Sequence, residues 1–367
     1  MKIGFFLSRK LTERDLIRFG VDKFKSSGIV FDLSDLLKHR SRVFQKSKAK
    51  IKNYHLIKSF SQLVILIKKN NIKYGVDFLE NSFYDFLVRL VLLKNNIKLI
   101  KYLVGLKPNI NYNLKKKNNK SFKNFFKILK KKVIKIFSSK LYWLIMITGK
   151  SYINYENLIH QKIFKIFTHN LDYNNYLNFK KKNKKKNIVT FIDQNLSFHQ
   201  DFYIKKKKPI VTPDEYYKNL FKYFKFIQSK YNTKVIIAAH PKKGLKNPFL
   251  KNCKFKISFN KTPNLISESR FVIMHYSTAV SYCVLFKKPI IFITNNELNR
   301  KRAGYQIKTL SKALGAKIFN IDESFKKFKI NVNLFKYQKY KDNYLKYPNS
   351  DDMNSWYVLK KFLNKFN

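Results

Sequence analysis

The chain has 367 residues, 45% of them hydrophobic and 16% aromatic, enough for two ordinary domains and too apolar for a disordered polymer. Its 78 Lys+Arg against 21 Asp+Glu leave a formal charge of +57, a field that repels cationic ligands and attracts polyanions, anionic headgroups and phosphate- or carboxylate-bearing substrates. Two cysteines, Cys253 and Cys283, exclude a disulfide framework, and Cys283 sits in an apolar run as a small core residue. Lys, Asn, Ile, Phe and Tyr are abundant together and share AT-rich codons, so part of the lysine excess reflects base composition.

The start, "MKIGFFLSRKLTERD", lacks the apolar stretch and cleavage site of a signal peptide, and no window approaches the roughly 18 apolar residues of a spanning helix. A cytoplasmic location is expected, with membrane contact still open. "KIGFFLS" reads as a strand and "TERDLIRFGVDKFKSSG" as one helix, capped by Thr12 and closed by glycine. "IVFDLSDLL" and "KYGVDFLE" read as strands, "SFYDFLVRLVLLKNN" as a helix and "IKLIKYLVGLKP" as a strand. Strands alternating with helices predict an α/β domain with a parallel sheet.

From Phe86 to Tyr155 no acidic residue occurs. Within this span Phe122, Phe125, Phe126, Leu129, Val133, Ile136 and Phe137 recur at helical spacing, with Lys120, Lys123, Lys127, Lys130, Lys131 and Lys135 opposite. This predicts a basic amphipathic helix followed by the apolar patch "LYWLIMITG", together a basic amphipathic insertion at about 114–150. Such a helix suits an anionic membrane interface; a core-packed helix with a solvated lysine face is the alternative. The run "KKKNKKK" predicts a basic hinge at 180–187 between an N-terminal domain, 1–179, and a C-terminal one, 188–350, followed by a helix at 351–367. In the second domain "NIVTFIDQ", "KVIIAAH", "FVIMHYS" and "KPIIFITN" read as strands. "PDEYYKNLFKYFKFIQSKYN" and "TAVSYCVLF" read as helices.

In an open α/β sheet, ligands bind beyond the carboxyl ends of the strands. His240 stands at one such end, Pro241 prevents the strand from continuing, and Lys242 and Lys243 add positive charge. A phosphate suits that rim; a histidine satisfied within its loop is the alternative. In "MHYSTAVSYCVLFKKPIIFI", Ser277 and Thr278 start a helix after a strand, as caps or as part of an anion site.

An HP pair followed some tens of residues later by S-S/T at a helix start resembles the bacterial sialyltransferases and Kdo transferases, over roughly residues 188–300. The resemblance implies an α/β, GT-B-like fold of two Rossmann-like domains with a cleft between them. It further implies inverting, metal-independent transfer of an acidic 2-keto sugar from a CMP donor. His240, Ser277 and Thr278 would contact the CMP phosphate. That family's acidic motif is absent in its usual form; the nearest counterpart is "FIDQNLSFHQD", where Asp201, then Asp193, then His199 are the candidate bases. His169, Asp172 and Tyr173 in "THNLDY" are candidates for acceptor or donor contact, with an Asx turn as the alternative, and Glu297 for the ribose or base.

Dinucleotide and P-loop fingerprints, a DxD after a strand and zinc spacing are all missing, so no cofactor or metal is expected beyond the CMP-sugar donor. The expected partners are a nucleotide sugar, a glycan or lipid-linked acceptor, and the anionic inner face of a bacterial plasma membrane. A CDP-glycerol-type glycerophosphotransferase is the alternative enzyme. A basic nucleic-acid-binding protein is the alternative from another class, although no RRM, KH or helix-turn-helix signature supports nucleic acid as a partner.

Overall fold

A computed structural model describes residues 2–11, 13–37, 53–108, 137, 141–153, 163–179, 186–199, 202, 207–240, 247–326 and 328–366. The chain divides into two compact units. The first comprises Met1–Leu106, Lys115–Asn174 and Asn343–Asn367, and the second Lys107–Leu114 and Asn175–Asp342. Residues from Asn343 onward therefore count with the first unit, whereas the sequence reading placed 343–350 in the second domain. Most of the expected basic insertion, residues 109–136 and 138–140, and hinge residues 180–185 lie outside the described residues.

The first unit is built on seven parallel strands: β1 Ile3–Leu7, β2 Gly28–Asp32, β3 Tyr54–Leu56, β4 Tyr74–Phe78, β5 Lys98–Leu103, β6 Leu144–Ile147 and β7 Phe164–Phe167. Their order is β3-β2-β1-β4-β5-β6-β7. Central strands such as β1, "IGFFL", are buried along their whole length, because a parallel sheet is covered on both faces and each side chain meets a core. Alternate residues go to opposite sides. Phe5, Val30, Val76, Ile100 and Met146 join Trp356, Leu359 and Leu363 of the helix Ser355–Leu363. Phe6, Ile29, Phe31, Leu99 and Ile145 join Leu63, Ile67, Val88 and Leu92 of the helices Phe60–Lys69 and Phe83–Lys94.

Two expectations are corrected here. "LYWLIMITG", read as an apolar patch beside a membrane-facing helix, contains β6, fully buried between β5 and β7. The single helix expected from Thr12 to Gly28 is a helix over Glu13–Arg18 followed by a 3-10 segment over Val21–Ser27. Gly20 separates them in the left-handed region, with φ 67°, and a Cβ there would lie 2.2 Å from the Trp356 ring. Trp356 also meets Tyr102 edge-on at 5.0 Å, so close packing and the break in the helix are one arrangement.

The second unit carries β8 Ile188–Ile192, β9 Lys234–Ala238, β10 Lys256–Ser258, β11 Phe271–Met274, β12 Ile290–Thr294 and β13 Lys317–Asn320. Their order is β10-β9-β8-β11-β12-β13, again all parallel. Counted from its own first strand, each sheet runs 3-2-1-4-5-6, the doubly wound Rossmann order, and the first adds one further strand. The expectation of two Rossmann-like α/β domains is met.

Asp77 on β4 is fully buried with Arg89, whose Nε donates to Oδ2 at 2.8 Å, while Lys101 Nζ stands 3.7 Å away and the Tyr142 hydroxyl donates to the same oxygen. Burial alone would raise this carboxyl, but Lys101 and Arg89 outweigh it and hold it at about 2. A carboxyl depressed on folding stabilises the fold above its unfolded value and ceases to do so as pH falls through the folded value. Asp77→Asn leaves Arg89 buried without its counter-charge and should cost about 3–5 kcal/mol at neutral pH. Urea titrations should show the gap between wild type and variant narrowing by about 2 kcal/mol as pH falls from about 4 to about 2.

Candidate functional site

In the second sheet the direction of growth reverses between β8 and β11: β9 and β10 extend it one way, β12 and β13 the other. The crossovers leave in opposite directions there, so a crevice opens at the carboxyl ends of β8 and β11. β9 and β11 both flank β8, which sets their ends about 10 Å apart, two strand spacings, with the end of β8 between them.

Asp193 follows β8 and is 7% exposed. Its Oδ1 accepts the Asn195 N–H at 2.8 Å, its Oδ2 faces the His240 N–H at 3.5 Å, and its own N–H donates to Ala238 O at 3.0 Å. Burial pushes the carboxyl up, and the Asn195 N–H, the nearby His240 and the His240 N–H draw it back in part. The loop turns at Asn195, which takes φ 51° and donates from Nδ2 to Phe198 O at 3.0 Å. That turn returns His199 to the end of β9, where its ring meets the His240 ring at 5.0 Å, nearly edge-on. Both histidines are half-buried. Asp193, His199 and His240 are thereby brought together, whereas Asp201, Pro241 and Lys242 lie outside the described residues.

On the other side of β8, Gln194 Oε1 accepts the Tyr276 N–H at 2.8 Å and ties this loop to the end of β11. Ser277 is half-buried and its Oγ accepts the Ala279 N–H at 3.1 Å; Thr278 is exposed. The helix begins at Val280, later than the expected Thr278 start, so the serine closes a turn ahead of it. A shallow depression beside Tyr276 is lined also by Lys107, Pro108, Gln306, Thr309 and Leu310.

The remaining candidates hold structure. Both oxygens of Glu297 are taken by Thr212, from its N–H at 2.7 Å and its Oγ1 at 2.8 Å, at the start of the helix Pro213–Tyr231. Burial would raise that carboxyl, and the bonds from Thr212 lower it. His169, Asp172 and Tyr173 belong to the first unit. His169 is completely buried, with Nε2 2.8 Å from Met353 O, and burial depresses its pKa. The Tyr173 hydroxyl donates to Asp352 Oδ1 at 2.6 Å, and Asp172 lies 3.7 Å from Arg18. Tyr173 N–H also donates to Asn170 Oδ1 at 2.9 Å. His169 and Tyr173 thus moor the segment 352–353 to the first sheet.

Sequence reasoning missed His275, although it follows an apolar strand just as His240 follows β9. It is completely buried; Nδ1 faces Ile293 O and Nε2 faces the Tyr216 hydroxyl, each at 2.8 Å. The carbonyl requires the proton on Nδ1, so Nε2 accepts from tyrosine and the ring is neutral. Burial lowers its pKa to about 4, the Ile293 carbonyl opposing in part. The unfolded chain then binds a proton the folded one refuses, and stability should fall as pH drops from about 6.5 to about 4. His275→Gln is expected to remove about 3 kcal/mol of that dependence, read as the difference between two denaturation series across this window.

No protein-family model matches the chain, and no curated protein matches it. Among solved structures, UDP-GlcNAc 2-epimerase from Methanocaldococcus jannaschii is similar with a TM-score of 0.51 and 13% identity, over 99% of this chain and 100% of that one. Another UDP-N-acetylglucosamine 2-epimerase is similar with a TM-score of 0.50 and 12% identity, over 100% of this chain and 97% of that one. At such identities the likeness concerns fold alone: the chain has a two-domain α/β, GT-B-like fold.

Proposed function

We propose that this protein is an enzyme acting on a nucleotide-activated sugar, and that it transfers an acidic 2-keto sugar from CMP to a glycan or lipid-linked acceptor hydroxyl. The observation that carries this reading is the meeting of Asp193, His199 and His240 at the ends of β8 and β9, one strand from the Ser277–Thr278 turn. In the reaction the acceptor oxygen bonds to the anomeric carbon while the bond to the CMP phosphate breaks. The acceptor proton passes to a protein base and CMP leaves as the anion. His240, the Ser277 and Thr278 hydroxyls and nearby lysines supply positive charge and donors to the departing phosphate without needing to reorganise.

Of the two described base candidates, geometry favours His199. Asp193 is nearly buried, with one oxygen bonded to a backbone N–H and the other facing a second, and its work is to close the loop. His199 is more exposed and adjoins the proposed phosphate ligand. Asp201, two residues further on, competes with it for the role.

A second reading, sugar epimerisation on UDP, is favoured by the fold likeness to UDP-GlcNAc 2-epimerases along nearly the full length of both chains. Thermal shift with CMP, UDP, AMP and GMP, followed by product analysis with CMP-sialic acid, CMP-Kdo, CDP-glycerol and UDP-GlcNAc, separates the readings. Preferential stabilisation by CMP and CMP release from an acidic-sugar donor are expected. His240→Ala should lower kcat about 10²–10³-fold and the true base variant, His199→Ala or Asp201→Asn, about 10²–10⁴-fold. UDP-selective stabilisation with conversion of UDP-GlcNAc to its 2-epimer would establish the second reading instead. CMP release from CDP-glycerol alone would rule out both.

A further inference from the structure

The strands of the first sheet start at an edge that the proposed chemistry does not use. Lys2 precedes β1, Lys25 lies just before β2, Lys73 precedes β4 and Lys98 opens β5; all four are exposed. The register aligns Ile3 with Tyr74 and Tyr74 with Lys98, so these starts lie side by side. Where β6 and β7 begin, the lysines give way to aromatic rings. Trp143 meets Phe164 at 5.1 Å and Phe366 at 5.2 Å, and Phe164 meets Phe362 at 5.8 Å and Phe366 at 5.1 Å. Phe164 is 41% and Phe366 40% exposed, and Trp143 and Phe362 are half-buried. Lys98 Nζ lies 5.1 Å from the Trp143 ring, and exposed Lys361 and Lys365 flank Phe362 and Phe366 in the chain. No Asp or Glu occurs in the short runs leading into these strands (Lys2, 25–27, 70–73, 95–97, 141–143 and Ile163) or in 360–367.

We propose that this edge of the first unit, centred on Trp143, Phe164 and Phe366 with Lys98 and Lys365, docks on the surface of an anionic lipid bilayer. Aromatic rings settle at the level of the headgroups while lysine stems run along apolar surface and place their ammonium groups on anionic phosphates. A single-stranded nucleic acid would need open ring faces, and here the rings turn edge to face at 65–81° and cover one another. Among the described residues no helix is long and apolar enough to cross a membrane, so the contact is peripheral. None of these residues belongs to the amphipathic run Phe122–Phe137 of the sequence, and the surface does not depend on the assigned chemistry.

The chain holds two tryptophans, and Trp356 is 1% exposed in the core, so Trp143 reports on the contact. The full-length protein is mixed with vesicles of phosphatidylcholine, with and without phosphatidylglycerol, and with poly(U). Sedimentation with the anionic vesicles and a blue shift of tryptophan emission are expected. Phe164→Ser/Phe366→Ser should abolish the shift and weaken binding at least tenfold, and Lys98→Gln/Lys365→Gln should weaken it roughly fivefold per lysine. Melting curves identify variants that lose their fold; if the serine pair does, the glutamine pair decides. Vesicle binding with unshifted emission, or unchanged binding in the folded variants, would overturn the proposal. So would a larger emission shift on poly(U) than on anionic vesicles.

Discussion

A carboxylate buried at the end of a strand must find donors close by, and Asp193 finds them in its own loop and the next strand's end. Oδ1 takes the Asn195 N–H and closes a tight turn, while Oδ2 faces the N–H of His240. The turn reverses the chain so that Leu196 and Ser197 are buried and His199 comes back beside His240. That carboxylate helps to hold the loop over the sheet edge, where the two imidazoles meet. The same residue therefore reads as a poor base and as the constraint on which the histidine pair depends.

Gln194 extends the logic in the other direction. Its amide oxygen holds the backbone of Tyr276, so the loop after β8 is tied both to β9 and to β11. Below that junction His275 is clamped between a tyrosine hydroxyl and a carbonyl of β12. Buried polar groups that are fully satisfied rigidify their surroundings. Here they do so under the turn that presents Ser277 and Thr278, and a site for a phosphate benefits from donors that do not have to move.

Strands were legible where they are mostly buried, because β1, β11 and β12 are apolar runs ended by polar residues, β9 is one after its first lysine, and β8 is interrupted only by Thr190. β3, β7, β10 and β13 went unread: they are edge strands of three or four residues, and largely half-exposed or exposed, so no long apolar run marks them. "LYWLIMITG" shows the reverse failure. A continuous apolar run suits a buried strand as well as a membrane-facing patch, and the lysines before it tipped the reading toward the membrane. The end of β9 was legible from the proline that follows, with His240 just past the strand. The same pattern at His275 marks a structural residue, because a strand-end position alone does not say whether the ring points outward. Glu297 and His169 show a related difficulty: a lone polar residue beside a strand looks functional in sequence, where its partner, here Thr212 or Met353, is remote.

The positive charge is left uncompensated by composition, 78 Lys+Arg against 21 Asp+Glu, and several of those acids are engaged inside the fold. Asp77 is consumed by Arg89, Asp85 by the capping box with Ser82, Asp193 by backbone N–H groups, Glu297 by Thr212, and Asp322 by Asn219 and the Asn296 N–H. These carboxylates do internal work, and all 21 acids together are far too few to neutralise 78 Lys+Arg. Among the described residues Lys186 pairs with Glu268 at 2.7 Å, and exposed pairs of that kind add little stability. The fold is thus held by groups that are indifferent to most of the +57 charge. On the edge proposed to dock on lipid, that charge stands beside exposed aromatic rings. Charge alone would be screened over about 8–10 Å at ordinary ionic strength, so it is the rings, which salt does not screen, that can make such contact specific.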